Sequence, residues 1–347
     1  MTDSTIIALD LGATKCAAGI IEYSHETKNF SCLQSCSVKL AETSSLPDLL
    51  EQLSAQLHMP FTSADAVCIG AAGQYNGMEL HHLDGVYPYP MRFAEIAEKQ
   101  QWPDYAIIHD YDTIICATFT SYMQNPDNLL RLNSCSPLLY RRRVALGLGT
   151  GLGMKDGVLL QNDDFWLGKN EIGHIGIIHP PLTDAVRLSQ HQEFMRFLLA
   201  AQTHTHQQIT FENILTGRGL VHLYQFLYPS AEMITPEMVG EAMLAGKAPA
   251  LLDLLAWYLG LFIGSVQLMF MPEGGLWITG GVAQKHLEIF SQPSFNAGIE
   301  ASPAYLHERQ TYPLGVMKHP QHALIGAGYY AVQRLLNKVT YPSSSLP

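Results

Sequence analysis

At 347 residues, with 47% hydrophobic and 15% charged side chains, the chain is long enough for two α/β lobes and too apolar to be disordered. Its formal net charge of −11 leaves no basic surplus to neutralise phosphates, which excludes a nucleic-acid or anionic-membrane partner. The six cysteines, at 16, 32, 36, 68, 116 and 135, show no CxxC spacing, so reduced thiols are expected rather than a zinc site or disulfide framework.

The first residues lack the basic and long apolar regions of a signal peptide, and the expected compartment is the cytoplasm. Ile6 to Ile21, which contains Asp10-Leu11-Gly12-Ala13-Thr14-Lys15, reads as strand, tight turn, strand. Small residues there let backbone N–H groups approach an anion, Thr14 adds a hydroxyl, and Asp10 can hold a cation through water. An ordinary hairpin turn fits that one motif equally well. Ser45, Pro47 and a three-to-four apolar spacing predict a helix to about His58, and Ala66 to Gly73 is a buried strand ending in small residues. The Pro- and aromatic-rich segment 84–90 is a loop, and a helix follows from about Phe93 to Gln101.

Tyr105 to Asp112 is the stretch around which the chain is organised. A β-branched run ends abruptly in His109-Asp110-Tyr111-Asp112, then resumes in a pattern a helix can use. In an open α/β sheet, ligands bind beyond the carboxyl ends of the strands, so this cluster is where chemistry belongs. Taken alone, Asp110 or Asp112 also serves as a helix cap.

Arg141-Arg142-Arg143 is the only basic run, and an exposed turn accounts for it. Val144 to Leu160 repeats the strand–turn–strand pattern, with Gly147, Gly149, Gly151 and Gly153 around Thr150. That is more glycine than a turn needs and points to phosphate contact, although no GK[ST] follows as in a Walker A loop. Glu171 and His174 stand three apart before a strand-like run to Ile178. They are either half a metal site or hydrogen-bonding groups facing a ligand, and a structural histidine is the plainer alternative.

Thr210 to Leu220, which includes Glu212, combines a cap-like start with a glycine-rich break, and residues 235–270 read as helical with Pro249 interrupting. Ala250 to Met271 has the length of a bilayer span. It contains Asp253 and Gln267 without a flanking cationic cluster, so it reads as a buried helix with contact points at Gly260 and Gly264. A strand then ends at Gly280-Gly281, residues 323–336 form a terminal helix, and the tail 343–347 is expected to fray.

In order and separation these motifs resemble those of the bacterial glucokinases, members of the hexokinase–actin–chaperone ATPase superfamily. The set is DLGATK at 10–15, HD at 109–110, GLGTGLG at 147–153 and EIGH at 171–174, then ENILTGRGLVHLY at 212–224, ITGGV at 278–282 and LIGAG at 324–328. The likeness runs from Ile6 to Leu336. It implies a two-lobed actin-like ATPase (ribonuclease H-like) fold with a cleft between the lobes. The expected lobes are 1–110, joined by a C-terminal helix at about 322–340, and 111–321.

The same resemblance implies an ATP- and Mg²⁺-dependent hexose kinase, glucose being the first candidate, and a homodimer, which the family often forms. Asp110 matches the family's catalytic aspartate, and His109, Glu171, His174 and Glu212 match its sugar ligands. Residues 10–14 and 147–153 would hold phosphates, and Gly280 and Gly281 would pass beside the adenosine. The chain departs from the family at His109, where an asparagine is usual, at Ala13 and Asn170, which replace glycines, and before the helix at 93, where a Thr-Asn pair has no match. It carries no cysteine-rich motif after His174 and no N-terminal helix-turn-helix, which favours the zinc-free branch over a regulator. His109 keeps open another hexose or amino sugar as acceptor, and the departures keep open a sugar-binding sensor with weak catalysis.

Overall fold

A continuous apolar run followed by more polar segments along the first forty positions builds three antiparallel strands, β1 (Ser4–Leu11), β2 (Lys15–Ser24) and β3 (Asn29–Lys39). The structure, a computed structural model, describes residues 3–81, 85–161, 164–201, 208–230 and 235–336. The chain divides into two compact units. The first comprises residues up to Leu129, Leu159–Leu167 and the chain from His319 on; the second comprises Leu130–Val158 and Gly168–Lys318.

In the first unit β4 (Ala66–Ala71) pairs parallel with β1, and β7 (Tyr105–His109) pairs parallel with β4, giving the order β3-β2-β1-β4-β7. The short strands β5 (Gln74–Tyr75) and β6 (Leu80–His81) form a separate ladder. Helix α1 (Leu46–Leu57) begins where Ser45 accepts the Asp48 N–H, with Pro47 in its first turn, and buries Leu46, Leu49, Leu50, Leu53 and Leu57 against the sheet core. Helix α2 is Phe93–Gln100, and α3 (Asp110–Ala117) starts directly from the end of β7.

The first unit extends to Leu129, beyond the boundary expected after Asp110. The reason is local packing. Gly70 on β4 leaves room for Thr113, and the C-terminal helix His322–Ala331 places Gly326 where a Cβ would collide with the Thr113 carbonyl. Helix α3 is therefore held inside this unit on two sides. Past Ala331 the helix widens into a π turn over Val332–Leu336, and the expected extension to about 340 and the tail 343–347 lie outside the described residues. Segment Leu159–Leu167 is anchored here too, by an Arg334–Asp164 ion pair and by Arg334 over the Phe165 ring at 4.1 Å.

In the second unit the strands β8 (Leu129–Arg131), β9 (Arg143–Leu148), β10 (Leu152–Leu159), β12 (Leu276–Thr279) and β13 (Leu314–Met317) stand in the order β10-β9-β12-β13-β8; the short β11 is Phe165–Leu167. The helices α4 (Ala185–Ala201), α5 (Glu212–Leu215), α6 (Gly217–Leu227), α7 (Pro236–Leu244) and α8 (Pro249–Phe270) supply most of its apolar core. Helix α8 is long and apolar enough to cross a membrane, yet it is buried along its length, as the sequence reading expects. Gly260 and Gly264 bring it against the helix Pro293–Glu300, where a Cβ at Gly260 would collide with the Phe295 carbonyl.

Two local expectations are corrected. The basic run is not simply an exposed turn: Arg141 pairs with Glu273, Arg142 with Asp156, and Arg143 is buried as the first residue of β9. Among the described residues the strand-like run after His174 forms no strand, and its ladder contact is a single bridge from Gly176 to Thr210.

Replacing Gly260 by alanine is expected to lower the thermal midpoint by several degrees, because overpacking a rigid helix contact costs about 1–3 kcal/mol. A calorimetric midpoint equal to that of the wild type would show that α8 separates from its partner at no cost.

Candidate active site

The chemistry-bearing residues of the first unit gather at the carboxyl ends of β1, β4 and β7. Asp10 lies next to Gly70 in the parallel register, and Ala71 lies next to His109, so the strand ends form one edge. Between β1 and β2 the Gly12 N–H donates to the Lys15 carbonyl at 3.0 Å, closing a tight turn over Ala13 and Thr14. The Thr14 carbonyl accepts the Leu40 N–H at 2.9 Å, which ties this turn to the end of β3.

Asp110 is the first residue of α3, not its cap. His109 occupies the cap position in extended conformation, and the Asp110 Oδ1 accepts the Tyr111 N–H at 2.9 Å. A carboxylate at a helix start sits where the dipole and the free N–H groups favour negative charge. Asp112 lies in the same first turn. Asp10 has the opposite electrostatics. Its surroundings strip it of water and the Asp110 carboxylate repels it, which together raise its pKa from 3.8 to about 6, against the pull of Lys15.

One residue at this edge carried no signal in the sequence. Tyr87, in the loop expected over 84–90, donates its hydroxyl proton to the Ala72 carbonyl at 2.5 Å, just past β4. Burial and the nearby charges of Asp110, Cys16 and Asp10 push its phenol far above the usual range, so it stays a neutral donor. Asp84, at the start of that loop, lies outside the described residues.

In the second unit the glycine-rich segment is the β9–β10 hairpin, with Gly147 opposite Gly153. Its turn, Gly149-Thr150-Gly151, closes with the Gly149 N–H on the Gly151 carbonyl at 3.0 Å, and Thr150 is exposed. Three elements converge on this hairpin. The Leu152 N–H donates to Glu212 Oε2 at 3.2 Å, from the start of α5, and the Gly217 N–H donates to the Gly149 carbonyl at 3.1 Å, from the start of α6. A short 3₁₀ turn, Ile172–His174, leans on the start of β10, where Gly173 has no room for a Cβ beside the Leu152 carbonyl. Glu171 and His174 flank that glycine and are both exposed.

Gly280 ends β12 with φ +92°, and a Cβ there would strike the Leu148 backbone of the neighbouring strand; Gly281 opens α9 (Gly281–Lys285). The second unit thus brings Gly147–Gly153, Glu171, His174, Glu212 and Gly280 onto one strand-end region. Among the described residues no three His, Cys, Asp or Glu side chains converge as a metal-binding group. A bare backbone at Gly280 and around Gly149–Gly151 fits a flat base and phosphates, and the poorly hydrated Asp10 fits a cation carried in by its ligand.

A protein-family model described as Glucokinase matches residues 7–334. The glucokinase of Agrobacterium fabrum (strain C58 / ATCC 33970) is 28% identical over 302 residues, which cover 85% of this chain and 83% of its own. The crystal structure of a glucokinase from an Antarctic psychrotroph has a TM-score of 0.77 at 17% identity, over 94% of this chain and 98% of the other. That of glucokinase from Balamuthia mandrillaris in complex with glucose has a TM-score of 0.70 at 15% identity, over 94% and 93%. These likenesses identify the architecture as the two-lobed α/β fold of the actin-like ATPases.

The raised pKa of Asp10 fixes the sign of a stability effect. Below about 4 the carboxyl is protonated in folded and unfolded chains alike, and as the pH rises through about 6 its ionisation weighs against the fold. Asp10→Asn is therefore expected to melt higher than the wild type at about pH 7.5, with the difference gone near about pH 4. Scanning fluorimetry of the ligand-free protein checks this, and equal midpoints at the higher pH would contradict the assigned cost.

Proposed function

Since the chain belongs to the glucokinase family, we propose that it transfers the γ-phosphoryl group of ATP to the 6-hydroxyl of a hexose, with glucose as the acceptor. The observation that carries this reading is the position of Asp110 on the first turn of α3, directly beyond the carboxyl end of β7. Phosphoryl transfer needs orientation and charge neutralisation more than covalent help, so a protein of this kind needs one placed base and many backbone donors.

Asp110 accepts the proton of the attacking hydroxyl. That O–H bond breaks as the sugar oxygen bonds to phosphorus and the bond to the ADP oxygen opens. The N–H groups of Ala13 and Thr14 in the first unit, and of Thr150 and Gly151 in the second, would each serve as phosphate donors. Gly280 and Gly281 leave backbone bare for the adenosine. Asp10 would hold Mg²⁺ through water, and the ion would supply neutralisation of the polyphosphate charge.

Glu171, His174 and Glu212 are the hydroxyl ligands of the sugar. Carboxylates and an imidazole gathered around one hairpin from separate elements would reject analogues that lack a hydroxyl, because the site's own polar groups would then be left unpaired. Glu212 spends one oxygen on the Leu152 N–H, so its direction is set before any sugar arrives.

The test is ADP release over a panel of hexoses. Glucose is expected to give the highest kcat/KM, and Asp110→Asn to lose roughly 10³-fold or more of the turnover while keeping its fold. Turnover by Asp110→Asn near the wild-type rate would remove the base from its assignment. A preference for another hexose or an amino sugar would move the acceptor but keep the chemistry.

A further inference from the structure

Tyr87-Pro88-Tyr89-Pro90 is a motif that the proposed reaction leaves without a task. Proline fixes its own φ and keeps the residue before it out of the helical region, so both tyrosines stand on a stiff stretch of chain. The next residue anchors that stretch, since the Met91 carbonyl accepts the Leu80 N–H at 3.1 Å.

Each phenol starts a relay of hydrogen bonds that ends on the first glycine-containing turn. Tyr87 donates to the Ala72 carbonyl at 2.5 Å, and the Ala72 N–H donates to the Leu11 carbonyl at 3.1 Å, where the chain enters the turn. On the other side the Thr43 hydroxyl donates to the Leu40 carbonyl at 2.8 Å, which spends its one proton. Tyr89 is therefore the donor in its 2.7 Å bond to Thr43 Oγ1. The Leu40 N–H then donates to the Thr14 carbonyl at 2.9 Å, where the chain leaves the turn. Two tyrosines separated by one proline thus fasten Leu11 and Thr14, the two shoulders of Gly12-Ala13. The turn's own closure is the Gly12 N–H on the Lys15 carbonyl at 3.0 Å. A turn that short is steadied chiefly from outside.

We propose that Tyr87 and Tyr89 are positioning residues for the phosphate donor: through Ala72 on one side and Thr43 and Leu40 on the other, they hold the turn so that the Ala13 and Thr14 N–H groups are aimed before a nucleotide arrives. The proposal rests on the reading of residues 12–14 as a phosphate turn and deepens it. Donors already in place lose less freedom on binding, so the gain falls on affinity for the nucleotide. Neither phenol needs to reach the nucleotide, because each acts through the group it bonds.

Tyr87→Phe and Tyr89→Phe test the proposal, since each removes one oxygen and keeps the ring. Hydrogen exchange over residues 9–16 of the free protein is expected to be faster in both variants. MgATP, measured by calorimetry, is expected to bind about three- to tenfold more weakly, with the hexose KM within about twofold of the wild type. Thr43→Val breaks the second relay at its middle and is expected to reproduce the Tyr89→Phe values. A lowered thermal midpoint with exchange and MgATP affinity unchanged would make the bonds merely structural and overturn the proposal. A raised hexose KM with MgATP affinity retained would make the segment a wall for the acceptor and overturn it as well. Failure of the phosphate assignment reads out separately, as a wild-type protein that does not bind MgATP, and the exchange rates of the free protein do not depend on it.

Discussion

Two carboxylates held at one sheet edge are the constraint on which the first unit depends. Asp10 ends β1 and Asp110 follows β7, with only the small residues Gly70 and Ala71 of β4 between their strands. Burial strips Asp10 of water and the like charge of Asp110 repels it, and together they raise its pKa to about 6. Asp110 is placed more favourably, at the start of α3, where its Oδ1 accepts the Tyr111 N–H. The sheet thus brings the two acids together, and the helix start holds the one assigned to the chemistry. The seat of that helix follows from packing, since Gly70 admits Thr113 from below and Gly326 admits the Thr113 carbonyl from the other side.

The second unit meets a different demand with the same economy of side chains. Its hairpin turn, the 3₁₀ turn and the start of α5 are all fastened to one another through backbone groups around Leu152. A hydrogen bond from a backbone N–H to Glu212 orients a carboxylate that would otherwise sample several rotamers, so less entropy is lost when a ligand binds. Asp156 extends this fastening from within β10. Its backbone accepts the Gly168 N–H at 2.8 Å and its side chain accepts from Asn170 at 3.3 Å, which steadies the segment leading into Glu171. The asparagine that departs from the family glycine at 170 therefore adds a tie rather than an obstruction.

Much of this was legible from residue order. The turn at 10–15, the hairpin at 147–153, α1 from Ser45 and Pro47, and the buried α8 each carry a local cause: a tight turn, a cap, or an apolar run with small contact points. What escaped depends on partners remote in sequence. Tyr87 looks like any aromatic in a proline-rich loop, and its role appears only when Ala72 and Asp110 are brought beside it. The run after His174 has strand composition but, among the described residues, makes a single bridge rather than a ladder, so composition alone misleads. Arg143 reads as surface because its neighbours are arginines, yet the register of β9 turns it inward. β3 gave little signal, because it is an edge strand with Val38 as its one buried residue.

His109 shows why a departure from a family pattern is informative only once geometry is known. By residue type it is a poor helix cap and a bulky substitute for an amide, and both facts suggest a disturbed site. Its position explains otherwise. A cap residue in extended conformation turns its side chain back over the first helical turn, and here His109 Nδ1 accepts the Tyr111 N–H at 3.3 Å. The ring nitrogen nearest the backbone does what a side-chain amide can do, while the far edge of the ring adds bulk beyond it. The substitution is therefore conservative toward the helix start and not toward whatever lies past Nε2.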